Sequence, residues 1–528
     1  MTLIEDSANR QIARSASKVM VALLLSNLTN LASLIINATT FGTSPEMDAF
    51  MAANRVSETL FNLMAGGALG SAFIPTFTGL LTKNQRNPAW KLASAIANLL
   101  LVILIAAAAL AAIFAQPLVH YLLAPGFAND PAQEALTVNL MRIMLPSAVI
   151  FGVSGLVMGI LNSHQKFFIP ALTPAMYRLG MIFGVLFLTP SMGIYGLAWG
   201  VTIGACLHLL LQVPSLLGLK GSYIPTLGIK MADVRQVALL MAPRVFGAAM
   251  VQLNFWVNTN LASRMAEGSV TAVTWAFTIM LLPQAVIAQS VATAALPTLS
   301  GQFALGRLDE LRGSLAASLR GILLLAIPAS LGLILLRQPI TALLLQYGRF
   351  SAASTQLISW ALLWFAAGLV GHCVVEILAR AFYSMHDTKT PVLVGVVAMG
   401  LNVVLSLLLS NYFNRIGWMP HGGLALANSI ATGLEAASLW VLMRRRLGGL
   451  EGNRVLKGTS QAVLATAVMV LVILGWLGLV GERQAWLVGG GGVLVGGIVY
   501  SLVVWGLKVP EVYSLINLLK RRLRPAYK

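Results

Sequence analysis

Long apolar stretches dominate this chain of 528 residues. Each is about twenty residues or longer, which is the length that an α-helix needs to cross the hydrocarbon core of a bilayer. Because 58% of the residues are hydrophobic and only 10% are charged, the composition excludes a soluble domain. We predict an all-α polytopic membrane protein with about fourteen spans, at 19–41, 47–80, 92–115, 135–162, 167–189, 193–217, 236–262, 268–298, 313–336, 353–382, 389–411, 421–443, 458–480 and 485–508.

Lys and Arg residues are distributed unevenly among the predicted loops. They cluster before the first span and after the second, sixth, eighth, twelfth and last spans, whereas the loops 116–134 and 188–194 contain none. Cytoplasmic loops of membrane proteins are rich in Lys and Arg, so we predict that both termini are cytoplasmic. Arg337 and Arg349, in one external loop, are exceptions. The net charge of +18 therefore reflects membrane topology and not nucleic-acid binding.

Several enzyme signatures are missing from the sequence. It contains no phosphate-binding G-x-x-x-x-G-K-[ST] run, no H-E-x-x-H pair and no cluster of metal ligands. The first residues, 1–18, are polar, so no cleavable signal peptide is expected. Cys206 and Cys373 both lie within spans, so we expect no disulfide framework. These features favour a transporter that holds no cofactor or metal and draws its energy from an ion gradient, the membrane potential or removal of the cargo.

An internal repeat recurs at a spacing of about 222 residues. Each copy contains six predicted spans, and an even number of spans keeps the orientation in the membrane, so we expect two lobes related by an axis along the membrane normal. Two facing lobes are the usual geometry for alternating access. The matching segments are 72–77 with 294–299, 122–127 with 344–349, 169–172 with 390–393, and 196–198 with 423–425.

The repeat predicts the organisation of the whole chain. The N-lobe and the C-lobe each hold six helices, two further helices follow, and the basic tail is attracted to anionic lipid. The predicted parts are a cytoplasmic N-terminal segment (1–18), the N-lobe (19–218), a cytoplasmic linker (219–235), the C-lobe (236–445), helices 13 and 14 (446–508) and a cytoplasmic tail (509–528).

Four arginines, Arg55, Arg142, Arg178 and Arg244, lie inside the predicted spans. An Arg at the centre of a spanning helix costs roughly 2.5–3.5 kcal/mol on insertion scales and usually faces the bundle interior or a watery cavity. A guanidinium group also donates two parallel hydrogen bonds to a phosphate. We predict that Arg178 and Arg244 contact an anionic cargo. Alternatively, these arginines snorkel to the membrane interface, pair with a distant Glu or bond to backbone carbonyls. Snorkelling is favoured for Arg142.

The second span carries a polar stripe. Arg55, Glu58 and Asn62 follow i, i+3, i+7 spacing and share one helical face. Arg55 and Glu58 could simply neutralise each other. Alternatively, the three residues contact the cargo or act in gating, and we include them among the candidate substrate-binding residues.

A second polar stripe runs along the first span. Ser26, Asn30, Ser33 and Asn37 follow i, i+4, i+7, i+11 spacing. Polar side chains in a bilayer face other helices or water rather than lipid. The stripe is therefore a cavity wall or a set of contacts between helices, and Asn30 and Ser33 are candidate substrate-binding residues.

The acids within the spans are candidates for coupling or gating. His372 and Glu376 share a face of the tenth span at i, i+4, and such a pair could relay protons. Mutual pairing, or neutralisation of an arginine of the other lobe, is the alternative. Glu58 and Glu435 are the other two acids within the spans, and Glu435 is also a candidate for coupling or gating. Four arginines against three glutamates predict a cavity that is neutral to cationic, which favours an anionic head group.

Short motifs in a fixed order extend this interpretation through spans one to twelve. They are Met47-Asp48-Ala49-Phe50, Gly67 to Pro75, Leu123 to Phe127, Arg142 to Pro146, Gly159 to Ser163, Phe168 to Pro174, Gln252 to Asn254, Val257 to Thr259, Arg380 to Tyr383 and Asp387 to Pro391. Together they resemble the lipid II flippase family (MurJ/MviN type) of the multidrug/oligosaccharidyl-lipid/polysaccharide (MOP) exporter superfamily.

The resemblance implies a function as well as a fold. It implies a bacterial inner-membrane protein that moves lipid II, the lipid-linked peptidoglycan precursor, from the cytoplasmic to the outer leaflet for cell-wall synthesis. A cationic cavity between two lobes would bind the pyrophosphate and sugar head, and a groove beside the last two spans would take the lipid tail. Membrane lipids and peptidoglycan-synthesis proteins are the other partners it suggests.

The chain departs from the family at charged cavity residues, where it has Ser33, Leu34, Phe61, Asn62 and Thr278. Our hypothesis is that Arg178 and Arg244 replace the missing charges. Two alternatives are a flippase for another undecaprenyl-linked polysaccharide unit and a membrane scaffold that no longer transports.

Overall fold

The apolar stretches fold into long helices, because a backbone in hydrocarbon must satisfy its hydrogen bonds within its own segment. A computed structural model describes residues 2–64, 68–481 and 484–509, and no strand occurs within these ranges. The predicted basic tail lies outside them, apart from residue 509. The principal helices are α1 (Thr2–Phe41), α2 (Pro45–Met64), α3 (Ala68–Thr82), α4 (Arg86–Ile113), α5 (Pro131–Ser163), α6 (Phe168–Phe183), α7 (Ile194–Leu210), α8 (Ala232–Ser263), α9 (Ser269–Gln284), α10 (Ser290–Ala304), α11 (Leu308–Leu345), α12 (Ala352–Ala367), α13 (Leu369–Ser384), α14 (Lys389–Arg415), α15 (His421–Leu447), α16 (Gly452–Val480) and α17 (Gly491–Gly506).

The described helices confirm a multi-pass membrane protein of the all-α class. Twelve helical segments are long and apolar enough to cross a bilayer, and α12 with α13, which meet at a bend of 47°, could form a thirteenth span. Within the predicted span 47–80 the described residues form α2 and α3, and residues 65–67 between them are outside the described ranges. The count of fourteen therefore stays a prediction.

The helices group into two compact units. Unit 1 comprises Met1–Thr271 and Tyr347–Phe350, and unit 2 comprises Ala272–Gln346 and Ser351–Lys528. Helix α8, the first after the predicted linker, belongs to unit 1, where it packs against α2 and α3. The predicted lobe boundaries stay a prediction.

The core of unit 1 is built from the apolar faces of α3, α4 and α5. Phe73 and Phe77 are fully buried and their rings stack with centroids 5.0 Å apart. Trp90 of α4 meets Phe77 edge-on at 6.1 Å, an arrangement that aromatic rings prefer. Leu156 and Ile160 of α5 complete the same cluster.

Glycines bring α6 and α7 into close contact. A Cβ atom added to Gly180 would lie 2.2 Å from the Cα of Gly204, and one added to Gly200 would lie 2.9 Å from the carbonyl oxygen of Gly180. Small residues at such crossings let two backbones approach within the membrane. The crossing places Arg178 of α6 beside the helix that carries His208.

A buried carboxylate joins the start of α2 to the start of α9. Asp48 accepts hydrogen bonds from the backbone N–H groups of Gly268 and Thr271, at 2.7 and 2.8 Å, and from the Thr271 hydroxyl at 2.6 Å. These contacts satisfy backbone N–H groups at the N-terminus of a helix, where no intrahelical partner exists. They also hold in place the end of the helix that carries Arg55.

Unit 2 has its own core around α11, α16 and α17. Leu336, Met469, Ile473 and Tyr500 are buried together. A Cβ atom added to Gly492 would lie 2.9 Å from the Leu336 side chain. The glycine run that begins α17 therefore serves close packing along the face that carries Gly492.

Candidate functional site

A cavity of about 400 Å³ lies within unit 1 among α2, α5, α6, α7 and α8. Its volume is within the range typical of small-molecule sites. The lining mixes charged, amide and aromatic side chains: Asn54, Arg55, Ser57, Glu58, Phe61, Asn62, Ser147, Phe151, Pro174, Tyr177, Arg178, His208 and Phe255. Charged groups that line a cavity inside a membrane domain indicate a polar ligand.

Arg55 and Glu58 form an ion pair along α2, with 3.0 Å between Nη1 and Oε2. The other carboxylate oxygen of Glu58 accepts a hydrogen bond from the side-chain amide of Asn54 at 2.8 Å. The Arg55 side chain is 12% exposed and that of Glu58 is 42% exposed. The Nε–H of Arg55 is buried and has no hydrogen-bond partner in the described part of the chain. Because the ion pair uses only Nη1 of the guanidinium, Arg55 keeps donor capacity.

Helix α8 also contacts the Arg55 guanidinium. The guanidinium lies over the Phe255 ring, 5.0 Å from its centroid, which is within cation–π range. The neighbouring Trp256 indole donates to the Thr59 hydroxyl at 2.8 Å. Thr59 in turn bonds to Gln252 at 3.3 Å. Helices α2 and α8 are therefore linked by hydrogen bonds one turn away from the ion pair.

Arg178 differs from Arg55 in having no acid beside it. Within the described residues no carboxylate forms an ion pair with its guanidinium. Its contacts are the sulfur of Met181, 3.6 Å from Nη1, and the ring of Tyr177, 5.2 Å from the guanidinium carbon. Both are weak partners for a cation. Arg178 therefore brings an uncompensated positive charge to the cavity lining.

The cavity lining carries one more positive than negative charge. Two guanidinium groups, of Arg55 and Arg178, and one carboxylate, of Glu58, are its formally charged groups. Electrostatic attraction is stronger in a medium of low dielectric constant than in bulk water. The site is therefore suited to an anion with oxygen acceptors, such as a phosphate.

Four of the predicted substrate-binding residues line this cavity: Arg55, Glu58, Asn62 and Arg178. Arg244 does not line it. Arg244 is exposed on α8 and lies eleven residues before Phe255, a distance of roughly 16 Å along the helix axis. Arg178 and Arg244 are thus not brought together at this cavity.

The other two predicted substrate-binding residues, Asn30 and Ser33 on α1, are also outside the lining. Asn30 is half-buried, and the Ser33 hydroxyl is buried with no hydrogen-bond partner among the described residues. Ser26 of the same stripe donates to the backbone oxygen of Ala171 at 3.1 Å. At Ser26, the stripe therefore makes a contact between helices.

Arg142, the fourth arginine of the spans, is exposed on α5. Its Nε–H donates to the backbone oxygen of Ala112 at 3.1 Å. This is one of the alternative partners that the sequence left open, and it places Arg142 outside the cavity lining.

The predicted coupling residues lie in unit 2. The imidazole of His372 bonds through Nε2 to the side-chain oxygen of Asn428 at 3.0 Å. Glu376 pairs with Arg380 one turn further along α13, at 2.7 Å, and not with His372. Glu435 forms no ion pair within the described residues, and its carboxylate lies beside Gly395. Their roles in coupling or gating stay a prediction.

Several cavity residues were not predicted from the sequence. Phe151, Tyr177, His208 and Phe255 lie on apolar helices, where an aromatic residue facing a cavity has the same local pattern as one in the core. Asn54 did carry a signal, because its i, i+4 spacing to Glu58 places both residues on one helical face.

Comparison with known proteins assigns a family. The model of the family described as "Lipid II flippase MurJ" matches residues 37–490. The lipid II flippase MurJ of Burkholderia cenocepacia is 32% identical over 431 residues, which cover 80% of this chain and 82% of the relative. A probable lipid II flippase MurJ of Buchnera aphidicola is 28% identical over 461 residues, covering 86% and 88%.

Solved structures agree with this assignment. A structure titled "Lipid II flippase MurJ, inward closed conformation" matches with a TM-score of 0.78 and 25% identity, covering 92% of this chain and 97% of that one. An inward-facing MATE transporter of the MOP superfamily matches with a TM-score of 0.66 at 15% identity, covering 82% and 99%. The second match shows only that the fold is shared.

Proposed function

Because the chain belongs to the lipid II flippase MurJ family, we propose that it moves lipid II from the cytoplasmic to the outer leaflet of the bacterial inner membrane. The movement supplies cell-wall synthesis and proceeds by alternating access. No bond of the cargo is made or broken, so the protein is a transporter and not an enzyme. Both termini lie in the cytoplasm in this proposal, consistent with the distribution of Lys and Arg between loops.

The positive cavity of unit 1 is the observation that carries the proposal. A pyrophosphate that leaves water loses its hydration, and charged groups in an apolar medium must be paired and hydrogen-bonded. Arg178, which has no acid partner in the described part, and Arg55, whose ion pair with Glu58 uses only Nη1, provide those hydrogen bonds. Guanidinium–phosphate contacts are about twice as strong as neutral hydrogen bonds.

Glu58 supplies a route for release. The Glu58 carboxylate accepts a hydrogen bond from Nη1 of Arg55. A bound pyrophosphate competes for that donor, and Glu58 recovers it when the cargo leaves. A transporter must bind its cargo less tightly in the releasing state than in the loading state. An internal anion beside one of the two arginines weakens the site without removing its charge.

The energy source and protein partners form part of the same proposal. Movement is driven by an ion gradient, the membrane potential or consumption of lipid II at the outer surface. Peptidoglycan-synthesis proteins that use lipid II there are the natural partners.

The test is lipid II exposure at the outer surface of cells depleted of their own flippase. Cells that express this chain should expose lipid II, and the double variant Arg55→Gln, Arg178→Gln should lose that activity. Arg142→Gln is the matched control, because Arg142 lies in a span but bonds to a backbone carbonyl outside the cavity. Its activity should equal that of the unaltered protein.

Cargo identity is tested separately with purified protein. Native mass spectrometry should show tighter binding of lipid II than of an undecaprenyl-pyrophosphate-linked oligosaccharide of different sugar composition. Full activity of the double variant would overturn the cavity as the cargo site. Absence of lipid II exposure by the unaltered chain, at normal expression in the membrane, would overturn the function itself.

A further inference from the structure

One side of the cavity is a continuous set of aromatic rings, which we call the aromatic wall: Phe61, Phe151, Tyr177 and His208. The Phe151 ring is at its centre, with centroid distances of 5.0 Å to Phe61, 5.0 Å to Tyr177 and 5.3 Å to His208. All four residues line the cavity. Two of the three ring pairs are perpendicular or nearly so, a geometry that aromatic rings favour.

A buried hydrogen-bond chain stands behind the aromatic wall and fixes the His208 imidazole. Gln212 is fully buried, and its Nε2 lies 3.0 Å from the backbone oxygen of His208 and 2.6 Å from the Ser154 hydroxyl. A carbonyl oxygen can only accept a hydrogen bond, so the amide atom facing it must be the nitrogen. The orientation of the Gln212 amide is therefore settled by its surroundings.

The same chain indicates which nitrogen of His208 carries the proton. The second N–H of the Gln212 amide donates to the Ser154 oxygen, so the Ser154 O–H is left to donate. Among its contacts within the described residues, the Ser154 hydroxyl has one acceptor for that hydrogen, Nδ1 of His208 at 2.6 Å, and we infer that Nδ1 is an acceptor. A neutral imidazole has one donor and one acceptor nitrogen, so Nε2 carries the hydrogen. Gln212 and Ser154 are positioning residues for an N–H donor on the aromatic wall.

We propose that the aromatic wall is a sugar subsite beside the two arginines, in which the Nε2–H of His208 donates a hydrogen bond to a sugar oxygen of the cargo. This rests on the proposed function, because it assigns the sugar next to the pyrophosphate to a defined part of the same cavity.

The chemistry of the wall is suited to a sugar rather than to a second phosphate. Aromatic faces carry partial negative charge, which attracts the C–H groups of a sugar ring and repels an anion. The two guanidinium groups provide the strong donors for phosphate, whereas an uncharged imidazole N–H suits an uncharged oxygen. A specific site combines such apolar surface with a few fixed polar groups.

Two substitutions of His208 separate this role from a structural one. His208→Asn keeps a polar atom near the position of Nδ1, facing Ser154, and removes the donor at Nε2. His208→Gln places an amide N–H near the position of Nε2. We expect His208→Asn to weaken lipid II binding about fivefold, the effect of one neutral hydrogen bond. His208→Gln should restore most of that loss.

The ligand comparison identifies what His208 contacts. Binding of undecaprenyl pyrophosphate, which has no sugar, should change less than about twofold in His208→Asn, as expected when no hydrogen bond is lost. Affinities are measured by native mass spectrometry on the full chain. His164→Asn is the matched control, because His164 lies in unit 1 outside the cavity lining and bonds to the backbone oxygen of Ile160. It should bind both lipids normally.

Failure of this inference and failure of the proposed function give different results. Unchanged lipid II binding in His208→Asn, or equal weakening for both lipids, overturns the sugar subsite. In either case loss of binding in the Arg55 and Arg178 variants would still support the pyrophosphate site. Absence of lipid II binding by the unaltered protein overturns both.

Discussion

Each unit carries an acid–base pair on one helix within the membrane domain, and the two pairs have different surroundings. Arg55 and Glu58 of unit 1 are three residues apart on α2, and Glu376 and Arg380 of unit 2 are four apart on α13. In unit 2 a single carboxylate oxygen accepts both Nε and Nη2 of the arginine, at 3.1 and 2.7 Å. In unit 1 the carboxylate is shared between Asn54 and one nitrogen of the arginine.

A third ionisable residue near each pair gives the two sites opposite charge excesses. Unit 1 adds Arg178, which gives two guanidinium groups and one carboxyl group, whereas unit 2 adds Glu435, which gives two carboxyl groups and one guanidinium group around Tyr383. An excess cation attracts an anionic cargo, and an excess carboxylate favours a proton or a metal cation. Two similar acid–base pairs therefore support opposite chemistry, and the third residue at each site makes the difference.

The largest expected effect comes from Arg178, the residue that creates the positive excess. Arg178→Gln should lower lipid II affinity about 10- to 100-fold, because a hydrogen bond to a charged group contributes roughly 1.5–3 kcal/mol. Arg380→Gln in unit 2 should change affinity less than about twofold, because Arg380 already pairs with Glu376. Native mass spectrometry of both variants makes the comparison, and equal losses would contradict it.

A packing substitution tests how much the close crossing of α6 and α7 contributes to the stability of the protein. Gly200→Leu should destabilise the protein by about 2 kcal/mol or more, because overpacking displaces well-packed neighbours. Thermal unfolding in detergent measures the change. Gly400→Leu is the control, because a Cβ atom there meets nothing within 4 Å. Similar unfolding midpoints for the two variants would show that the crossing tolerates bulk.

Glu58 should affect binding and transport in opposite directions. Glu58→Gln removes the internal anion, so lipid II should bind about fivefold more tightly, as expected for the loss of a competing ion pair of roughly 1 kcal/mol. Outer-surface exposure of lipid II should fall, because release becomes harder. Glu376→Gln in unit 2 should leave binding unchanged. Weaker binding in Glu58→Gln would show that Glu58 contacts the cargo directly.

The smallest expected effect concerns a loop outside the spans. Burial acts to raise the pKa of Asp387, but hydrogen bonds from the N–H and hydroxyl of Thr390 and from Arg446 outweigh it and hold the pKa below the ordinary value of 3.8. A lowered pKa stabilises the folded state at pH values above 3.8, and the contribution disappears as the pH falls through the lower folded-state pKa.

The measurement is the unfolding midpoint of Asp387→Asn against pH. It should lie about 1 °C below that of the unaltered protein at pH 7, since exposed pairs contribute little, and the gap should close in acid. Lys166 occupies the equivalent loop of unit 1 by the repeat, and its Nζ contacts the backbone oxygen of Ser215. Lys166→Met should show no such pH dependence, and a gap for Asp387→Asn that widened in acid would reverse the assigned sign.

The sequence predicted the fold class well because a spanning helix is a local property. About twenty apolar residues in succession exclude water-exposed structure whatever their neighbours are. The count is harder at residues 47–80, where polar side chains interrupt the apolar sequence and α2 and α3 lie on either side of residues outside the described ranges. The bend of 47° between α12 and α13 likewise lies within a stretch whose composition is uniformly apolar.

The candidate site was predicted only in part. Arg55, Glu58 and Asn62 share a face by spacing alone, and all three line the cavity. Arg178 was predicted because a lone arginine in a span requires a polar surrounding. Arg244 satisfies the same criterion but lies outside the cavity lining, because spacing along one helix carries no information about which neighbouring helix covers it.

The sequence by itself determined that this chain crosses a membrane many times, that it has more cations than anions within its spans and that it resembles one family of flippases. These properties follow from composition, local periodicity and motif order. Only the tertiary structure decided that Arg178 lines the same cavity as the Arg55–Glu58 pair in unit 1, and that Gln212, Ser154 and His208 form one hydrogen-bond chain. Such contacts join residues more than fifty positions apart, and they depend on how glycine-rich helices cross.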